Sequence, residues 1–275
     1  MTISVLILTL NEEVNISDCI EALQWCDDIV VLDSESCDAT RSIAQEKGAR
    51  VYERTFDNYA SQRNYGLKKI PYRHPWVLMV DADERWPERI ALEIARKLAD
   101  KPDYSLFHFL RKDMFMGRWL KRSSGYPTWF GRLVRPDQVL VKREINEEYH
   151  TKGKSGYMKE HFIHYPFNKG ITFWFERHNR YSSMESKVLV MEMQGKIRWR
   201  DLYARTPTIR RKALKQLLYR LPCRPFIVFL YLYVIRMGFM DGFPGYTYAR
   251  MRQMYEKMID LKVKELRRRE KGLPV

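Results

Sequence analysis

The chain of 275 residues contains no Gly-x-Gly-x-x-Gly and no Gly-x-x-x-x-Gly-Lys-Ser/Thr segment. That excludes a dinucleotide fingerprint and a P-loop as its means of holding phosphate. Its four cysteines, Cys19, Cys26, Cys37 and Cys223, form no Cys-x-x-Cys pair and share no zinc spacing with histidine. They read as reduced thiols of a reducing compartment, not a zinc module or a disulfide framework. No run approaches the roughly 20 apolar residues that a membrane span needs. The longest candidate, Pro225 to Ile235, is bounded by Arg224 and Arg236. The apolar stretch Ile3 to Leu10 has no basic segment before it and runs directly into Asn11-Glu12-Glu13. It reads as a buried strand with a polar end, not as a signal peptide.

What is abundant is positive charge: 49 Lys and Arg against 34 Asp and Glu, a net +15. The excess is local. Residues 196–275 hold 20 basic and 6 acidic residues, while the first 195 hold 29 and 28. A near-neutral body therefore carries a basic C-terminal region, which attracts phosphate-rich partners, either nucleic acid or anionic lipid. Apolar residues make up 45% of the chain, enough for a real core.

The first 111 residues alternate short Val- and Ile-rich runs with helical patterns. Strands are expected at Ile3–Thr9, Asp28–Asp33 and Trp76–Val80, with a weaker one at Val51–Glu53. Helices are expected at Asn15–Leu23, Ala39–Lys47, Tyr59–Ile70 and Pro87–Asp100, with Asn15 and Asp38 as N-caps and Pro87 in a first turn. Such alternation predicts an α/β fold with a mostly parallel sheet flanked by helices. Residues 113–165 lose this rhythm and read as irregular strands and loops that complete the sheet. From Ile171 onward the chain reads as helical: Phe173–Met193, a basic segment Thr208–Arg220, an apolar and aromatic segment Pro225–Met240, and a charged helix Tyr246–Lys271. The division expected is 1–165 for the α/β part and 166–275 for the helical, basic part.

Ligands of open parallel sheets bind beyond the carboxyl ends of the strands. Here those ends are polar: Thr9-Leu10-Asn11-Glu12-Glu13, Asp33-Ser34-Glu35 and Asp81-Ala82-Asp83-Glu84. Asp81 and Asp83, one residue apart after a buried strand, can face a divalent ion that bridges to substrate phosphates; otherwise they form a polar loop with a capping aspartate. Asn11, Glu13, Asp33 and Ser34 suit a ribose and a base, or simply cap their elements. Arg63, in Gln62-Arg63-Asn64, can reach a diphosphate or lie on a solvated helix face. His164 taken alone reads as a structural histidine, and Glu147 and Glu148 as solvated loop residues. In the C-terminal region, Arg205, Arg210, Arg211, Lys212, Lys215, Arg220 and Arg224 precede the apolar segment, which carries Phe226, Phe229, Tyr231 and Tyr233. Aromatics flanked by basic residues describe a helix at the surface of an anionic membrane. A nucleic-acid partner is not expected, because no nucleic-acid-binding motif accompanies the charge.

Taken together, residues Ser4 to Glu13, Val31 to Thr40 and Asp81 to Glu84 resemble the opening, the second nucleotide-contact loop and the metal motif of the family 2 glycosyltransferases. The subgroup that is most similar is that of bacterial lipopolysaccharide core glucosyltransferases, on Gln62-Arg63-Asn64, Gly131-Arg132-Leu133, His164 and Gly238 to Gly242. The resemblance implies a GT-A fold and an inverting transfer from a nucleoside-diphosphate sugar, with UDP-sugar as first expectation. The acceptor implied is a glycolipid or saccharide of the cell envelope. Thr9, Asn11, Glu13, Asp33, Ser34, Asn64 and Asp81 would hold the nucleotide sugar, with Arg63 near the diphosphate. Asp81, Asp83 and His164 would hold Mg²⁺ or Mn²⁺. Where the subgroup shows a His-Glu pair, this chain has Asn146-Glu147, and Glu147 would be the general base. Arg132, Arg135, Arg210, Arg211 and Arg224 are weaker candidates for acceptor or membrane contact. The location implied is cytoplasmic, peripheral to the inner face of the membrane. Two other readings stay open: a nucleotidyltransferase, against which the first strand lacks a Gly-rich triphosphate loop, and a non-catalytic membrane or nucleic-acid adaptor.

Overall fold

The computed structural model describes residues 2–100, 103–142, 148–192, 199–204, 206, 210, 213–214, 217, 219–221 and 223–275. The chain divides into two compact units, Met1–Met114 with Tyr126–Asn168, and Phe115–Gly125 with Lys169–Val275.

The first unit opens with four parallel strands, β1 (Ile3–Thr9), β2 (Ile29–Asp33), β3 (Arg50–Glu53) and β4 (Trp76–Asp81), in the order β3-β2-β1-β4. Helices α1 (Glu13–Glu21), α2 (Thr40–Glu46), α3 (Tyr59–Lys69) and α4 (Glu88–Asp100) connect and follow them. Side chains alternate between faces of a strand, so β1 feeds two cores. Ile3, Val5 and Ile7 pack with Ile16, Ile20, Leu78 and Trp86, while Leu6 packs with Leu32, Leu67, Val77 and Met79. Burial on both faces is why this strand is a continuous apolar run. The approach of α3 to β1 is close: a Cβ on Gly66 would lie 2.6 Å from Leu6 Cδ2.

Beyond β4 the irregular middle segment resolves into β5 (Glu84–Arg85), β6 (Tyr104–Phe115), β7 (Arg118–Trp119), β8 (Trp129–Val134), β9 (Val139–Lys142), β10 (Glu148–Thr151) and β11 (Lys154–His164). The sheet continues from β4 as β8-β6-β11-β5. β8 is antiparallel to both neighbours, and β6 and β11 run parallel. This is the GT-A-like α/β arrangement, with β9 and β10 forming a separate antiparallel pair.

Two caps differ from expectation. Asn15 lies inside α1 and is buried; its Nδ2 donates to Glu12 Oε2 (2.8 Å) and its Oδ1 accepts from Asn168 Nδ2 (2.9 Å). The helix starts earlier because the Glu12 carbonyl already accepts from the Asn15 and Ile16 amides, each at 2.8 Å. Asp38 acts from one residue outside the Ala39 cap position of α2, accepting the Thr40 amide at 3.0 Å.

The second unit contains α5 (Gly170–Glu192), α6 (Arg224–Leu230) and α7 (Gly242–Glu270). Leu189 and Val190 of α5 pack on Ile259 and Val263 of α7. The single helix expected over 225–240 is broken: α6 passes into a π-helical turn (Tyr231–Ile235) and then a 3₁₀ turn (Gly238–Asp241). The backbone passes close to itself here, as glycine allows. A Cβ on Gly245 would meet the Gly238 carbonyl oxygen at 2.3 Å, and Met237 takes a left-handed φ of 58°. Arg224, expected at a membrane or acceptor surface, is 4% exposed. It is committed to Glu256 and to Asp260 (2.7 Å), which fastens α6 to α7. The basic helix expected over 208–220 lies largely outside the described residues, as does Arg211; Arg210 is exposed. Among the described residues no single helix is long and apolar enough to cross a membrane. Arg224–Ile235 and Gly238–Glu270 reach that composition only together, across a 70° bend.

Candidate functional site

Register brings the three polar strand ends side by side. Thr9 pairs with Asp33 across β1 and β2, and Leu8 pairs with Asp81 across β1 and β4. Thr9 Oγ1 donates to Asp33 Oδ2 at 2.7 Å, and the Ser36 amide and hydroxyl donate to Asp33 at 2.7 and 2.6 Å. The Asn11 amide donates to Ser36 Oγ (2.7 Å), and Asn11 Oδ1 accepts the Cys37 amide (2.9 Å). Glu13 Oε2 accepts the Ala39 amide at 3.1 Å. Asn11 and Glu35 both hold positive φ, 54° and 62°, the strained geometry often found where a loop meets a ligand. Thr9 and Asp33 are buried and hydrogen-bonded to each other. Asn11 and Glu13 are exposed beside them.

Helix α3 ties this loop to the third strand end. Asn58 caps it, accepting the Ser61 amide at 2.8 Å, which fixes the start of the helix that carries Gln62 and Arg63. Gln62 Nε2 donates to Ser34 Oγ (3.1 Å) and Arg63 Nη2 donates to Asp81 Oδ1 (2.8 Å). Arg132 on β8 holds the other oxygen, Oδ2, at 2.7 Å, and also pairs with Glu84. Burial alone would raise the Asp81 pKa, but Arg132 and Arg63 outweigh it and hold the carboxyl far below the usual range. Burial pushes the Glu84 carboxyl up, to about 7, against the pull of Arg132.

A second cluster sits beside it. His164, at the end of β11, faces Asp83 through Nε2 at 3.3 Å and Asp113 through Nδ1 at 2.6 Å. Asp113 lies opposite His164 in the β6–β11 register and also pairs with Arg111 at 2.8 Å. Burial disfavours the imidazolium, yet Asp83 and Asp113 hold it, and the pKa rises to about 9; a metal between Asp83 and His164 would have to displace the Nε2 proton.

Of the three residues expected to hold a metal, two fit. Asp83 and His164 form a carboxylate–imidazole pair, and Asp113 fixes the imidazole from behind, as outer partners of metal-ligating histidines do. Asp81 does not fit: each of its oxygens carries a guanidinium. Among the described residues no three carboxylate, imidazole or thiol groups converge into a ready cage. A Mg²⁺ or Mn²⁺ held largely by substrate phosphates needs only one or two protein ligands.

Other expected residues fall elsewhere. Asn64 turns to β9, donating to the Val141 carbonyl (2.7 Å) and accepting from its amide (3.0 Å); a side-chain amide matches a strand's backbone edge, so this residue is a structural clasp. Arg132, a weak acceptor candidate, is buried in the Asp81–Glu84 network. Arg135 covers the Trp76 ring at 4.9 Å. Glu147 lies outside the described residues, and the side chain of Glu148 is not described. Sequence reasoning assigned no role to Asp113, Ser36 or Glu84. Ser36 and Glu84 stood inside the quoted motifs, but Asp113 had no local signal. An open cleft of about 490 Å³ on α3, lined by Arg54, Tyr65, Lys68 and Lys69 among others, includes none of these carboxylates.

Comparison with known proteins adds an independent line. The model of the family described as glycosyl transferase family 2 matches residues 4–171. An uncharacterised glycosyltransferase of Rickettsia felis is 27% identical over 216 residues, covering 70% of this chain and 71% of that one. The lipopolysaccharide core biosynthesis glycosyltransferase LpsC of Rhizobium meliloti is 30% identical over 122 residues, 42% of this chain and 44% of that one. Among solved structures, glucosyl-3-phosphoglycerate synthase of Mycobacterium tuberculosis, in complex with Mn²⁺, UDP-glucose and phosphoglyceric acid, is 24% identical with a TM-score of 0.36, over 40% of this chain and 44% of that one. The aligned part thus spans less than half of LpsC and of the mycobacterial enzyme.

Proposed function

The chain belongs to glycosyl transferase family 2, and from that premise we propose that it is an inverting, metal-dependent transferase acting on a nucleoside-diphosphate sugar, UDP-sugar first, and a membrane-borne glycolipid or saccharide of the cell envelope. The observation that carries the donor half is the pairing of Asp81 with Arg63 and Arg132, next to the Asp83–His164 pair, at the strand ends. The similarity to LpsC supports a lipopolysaccharide-core type of acceptor.

The chemistry is direct displacement. The acceptor hydroxyl oxygen bonds to the anomeric carbon as the bond from that carbon to the diphosphate oxygen breaks, and the hydroxyl proton passes to a carboxylate, for which we retain Glu147. A bound Mg²⁺ or Mn²⁺ would supply charge neutralisation at the leaving diphosphate, with Asp83 and His164 as its protein ligands. Asn11 and Glu13 offer the nucleoside an exposed amide and carboxylate, on a loop that Asp33 holds in shape. Asp81 fixes Arg63 and Arg132 at the strand end, where their positive charge would favour a diphosphate.

Calorimetric titration with UDP tests this reading. We expect binding that requires Mn²⁺ or Mg²⁺, is lost with EDTA, and weakens at least about tenfold in Arg63→Ala, the scale of one charge-assisted hydrogen bond. UDP binding of equal strength with EDTA and in Asp83→Ala would contradict the metal assignment.

A further inference from the structure

We infer that the turn joining α6 to α7 is a wedge that enters one leaflet of an anionic bilayer, with its tip at Ile235 to Phe243 and a collar of cations around it. This deepens the membrane-borne acceptor proposed above and rests on that reading for its purpose, though not for its geometry. Ile235 and Phe243 are 71% and 70% exposed, and Tyr231, Val234, Phe239 and Met240 about half exposed. So much contiguous exposed apolar surface marks an interaction face.

The tip is tied together by backbone hydrogen bonds. The Arg236 amide bonds the Tyr231 carbonyl (2.8 Å), the Met237 amide that of Val234 (3.0 Å), and the Met240 amide that of Met237 (3.0 Å). Amides paired within the turn need no water, which lowers the cost of approaching the acyl region. Asp241 accepts the amides of Arg122 (2.9 Å) and Ser123 (2.8 Å) and the Ser123 hydroxyl (2.8 Å). Arg118 donates to the Met240 carbonyl at 3.2 Å. These bonds hold the segment Phe115–Gly125 against the tip, so Arg118, Lys121 and Arg122 join Arg236 and Arg250 around it. Asp241 is the one acidic residue in 115–125 and 231–252, and it is buried.

The charge selects the occupant. A second copy of this chain would press one cationic collar against another, whereas phosphate headgroups complement it and the acyl region takes the tip. The 70° bend makes this a point of entry, not a helix lying flat along the surface.

The test is flotation of the full chain with phosphatidylcholine vesicles, with and without phosphatidylglycerol. Replacing Ile235 and Phe243 by Ser should lower partitioning at least about tenfold on both vesicles, given the apolar area removed. Lys121→Gln with Arg122→Gln should lower it about tenfold on the anionic vesicles alone. If the Ser variant does not fold, Phe243→Trp decides: lipids brominated on the acyl chain should quench it beyond the quenching seen in the parent with its seven tryptophans. Unchanged partitioning of a folded Ser variant, or no quenching beyond the parent's, overturns the proposal. So does a parent that ignores vesicles and forms dimers which the Ser substitutions dissolve, because the face is then a protein interface. Metal-dependent donor turnover should be unchanged in the tip variants. A parent that neither turns over nor binds any nucleotide sugar would refute the transferase reading and leave the vesicle result standing.

Discussion

Arg132 decides more of the site than any motif residue. Its guanidinium is 5% exposed and faces both Asp81 and the fully buried Glu84. Replacing it by Met leaves two carboxylates confronting each other with no cation between them. We expect Arg132→Met to cost about 3–5 kcal/mol, the range for breaking a buried pair from one side, read by urea denaturation, and to abolish UDP binding. Arg132→Lys keeps the charge but cannot serve both carboxylates with one planar fork, so it should fold with weakened UDP affinity. If Arg132→Met were as stable as the parent, the network would not hold the strand end. None of this was legible locally. Arg132 reaches Asp81 because β8 runs antiparallel to β4, with Leu133 opposite Leu78, and His164 meets Asp113 only through the β6–β11 register. Register between distant strands leaves no mark in a window of residues. By contrast Asp81 and Asp83 were visible, since a buried apolar run ending in carboxylates announces itself. What stayed hidden was that one of them serves arginines.

At the level of elements, the legible parts are those where one rule dominates. β1, β2 and β4 are continuous apolar runs because both faces are buried. The segment after α6 is apolar and aromatic throughout, which leaves no local sign of the break that the close approach of Gly238 and Gly245 permits. Gly66 offers a test of the α3–β1 contact that positions Arg63. Gly66→Ala should raise helix propensity by about 1 kcal/mol. It would also drive a methyl to 2.6 Å from Leu6 Cδ2, and overpacking costs about 1–3 kcal/mol. We expect net destabilisation in urea; a more stable variant would show that the contact has slack.

His178 in α5 supplies a pH test of the second unit. Its ring stacks on Trp174 at 3.6 Å, and its Nδ1 donates to the Trp174 carbonyl at 2.8 Å. Burial, opposed by that hydrogen bond and reinforced by Arg177 and Arg252, lowers its pKa to about 4. The folded state therefore prefers neutral imidazole. As pH falls from the ordinary histidine value of about 6.5 towards 4, the unfolded chain takes up the proton first and stability drops. In His178→Phe this part of the acid sensitivity should vanish. An identical pH dependence of Tm in parent and variant would contradict it.

The whole molecule has an uneven charge, near neutral through residue 195 and strongly basic after it. That asymmetry was plain from composition, but its use was not. The structure adds Phe115–Gly125 to the C-terminal unit, bringing three more cations beside the apolar tip from far away in sequence. If the collar contributes as argued, binding to anionic vesicles should weaken steeply between about 0.05 and 0.5 M salt as screening shortens to a few ångströms. Binding of the Lys121→Gln, Arg122→Gln variant should respond less. Equal salt dependence would place the electrostatic contact elsewhere on the chain.

The central claim is sugar transfer from an activated donor, and one assay addresses it without a guess at the acceptor. Purified protein is incubated with Mg²⁺ or Mn²⁺ and a panel of nucleotide sugars, and released nucleoside diphosphate is measured. The account predicts metal-dependent release from one donor, reduced at least about a hundredfold in Asp83→Ala. Neither release nor nucleotide-sugar binding anywhere in the panel would contradict it.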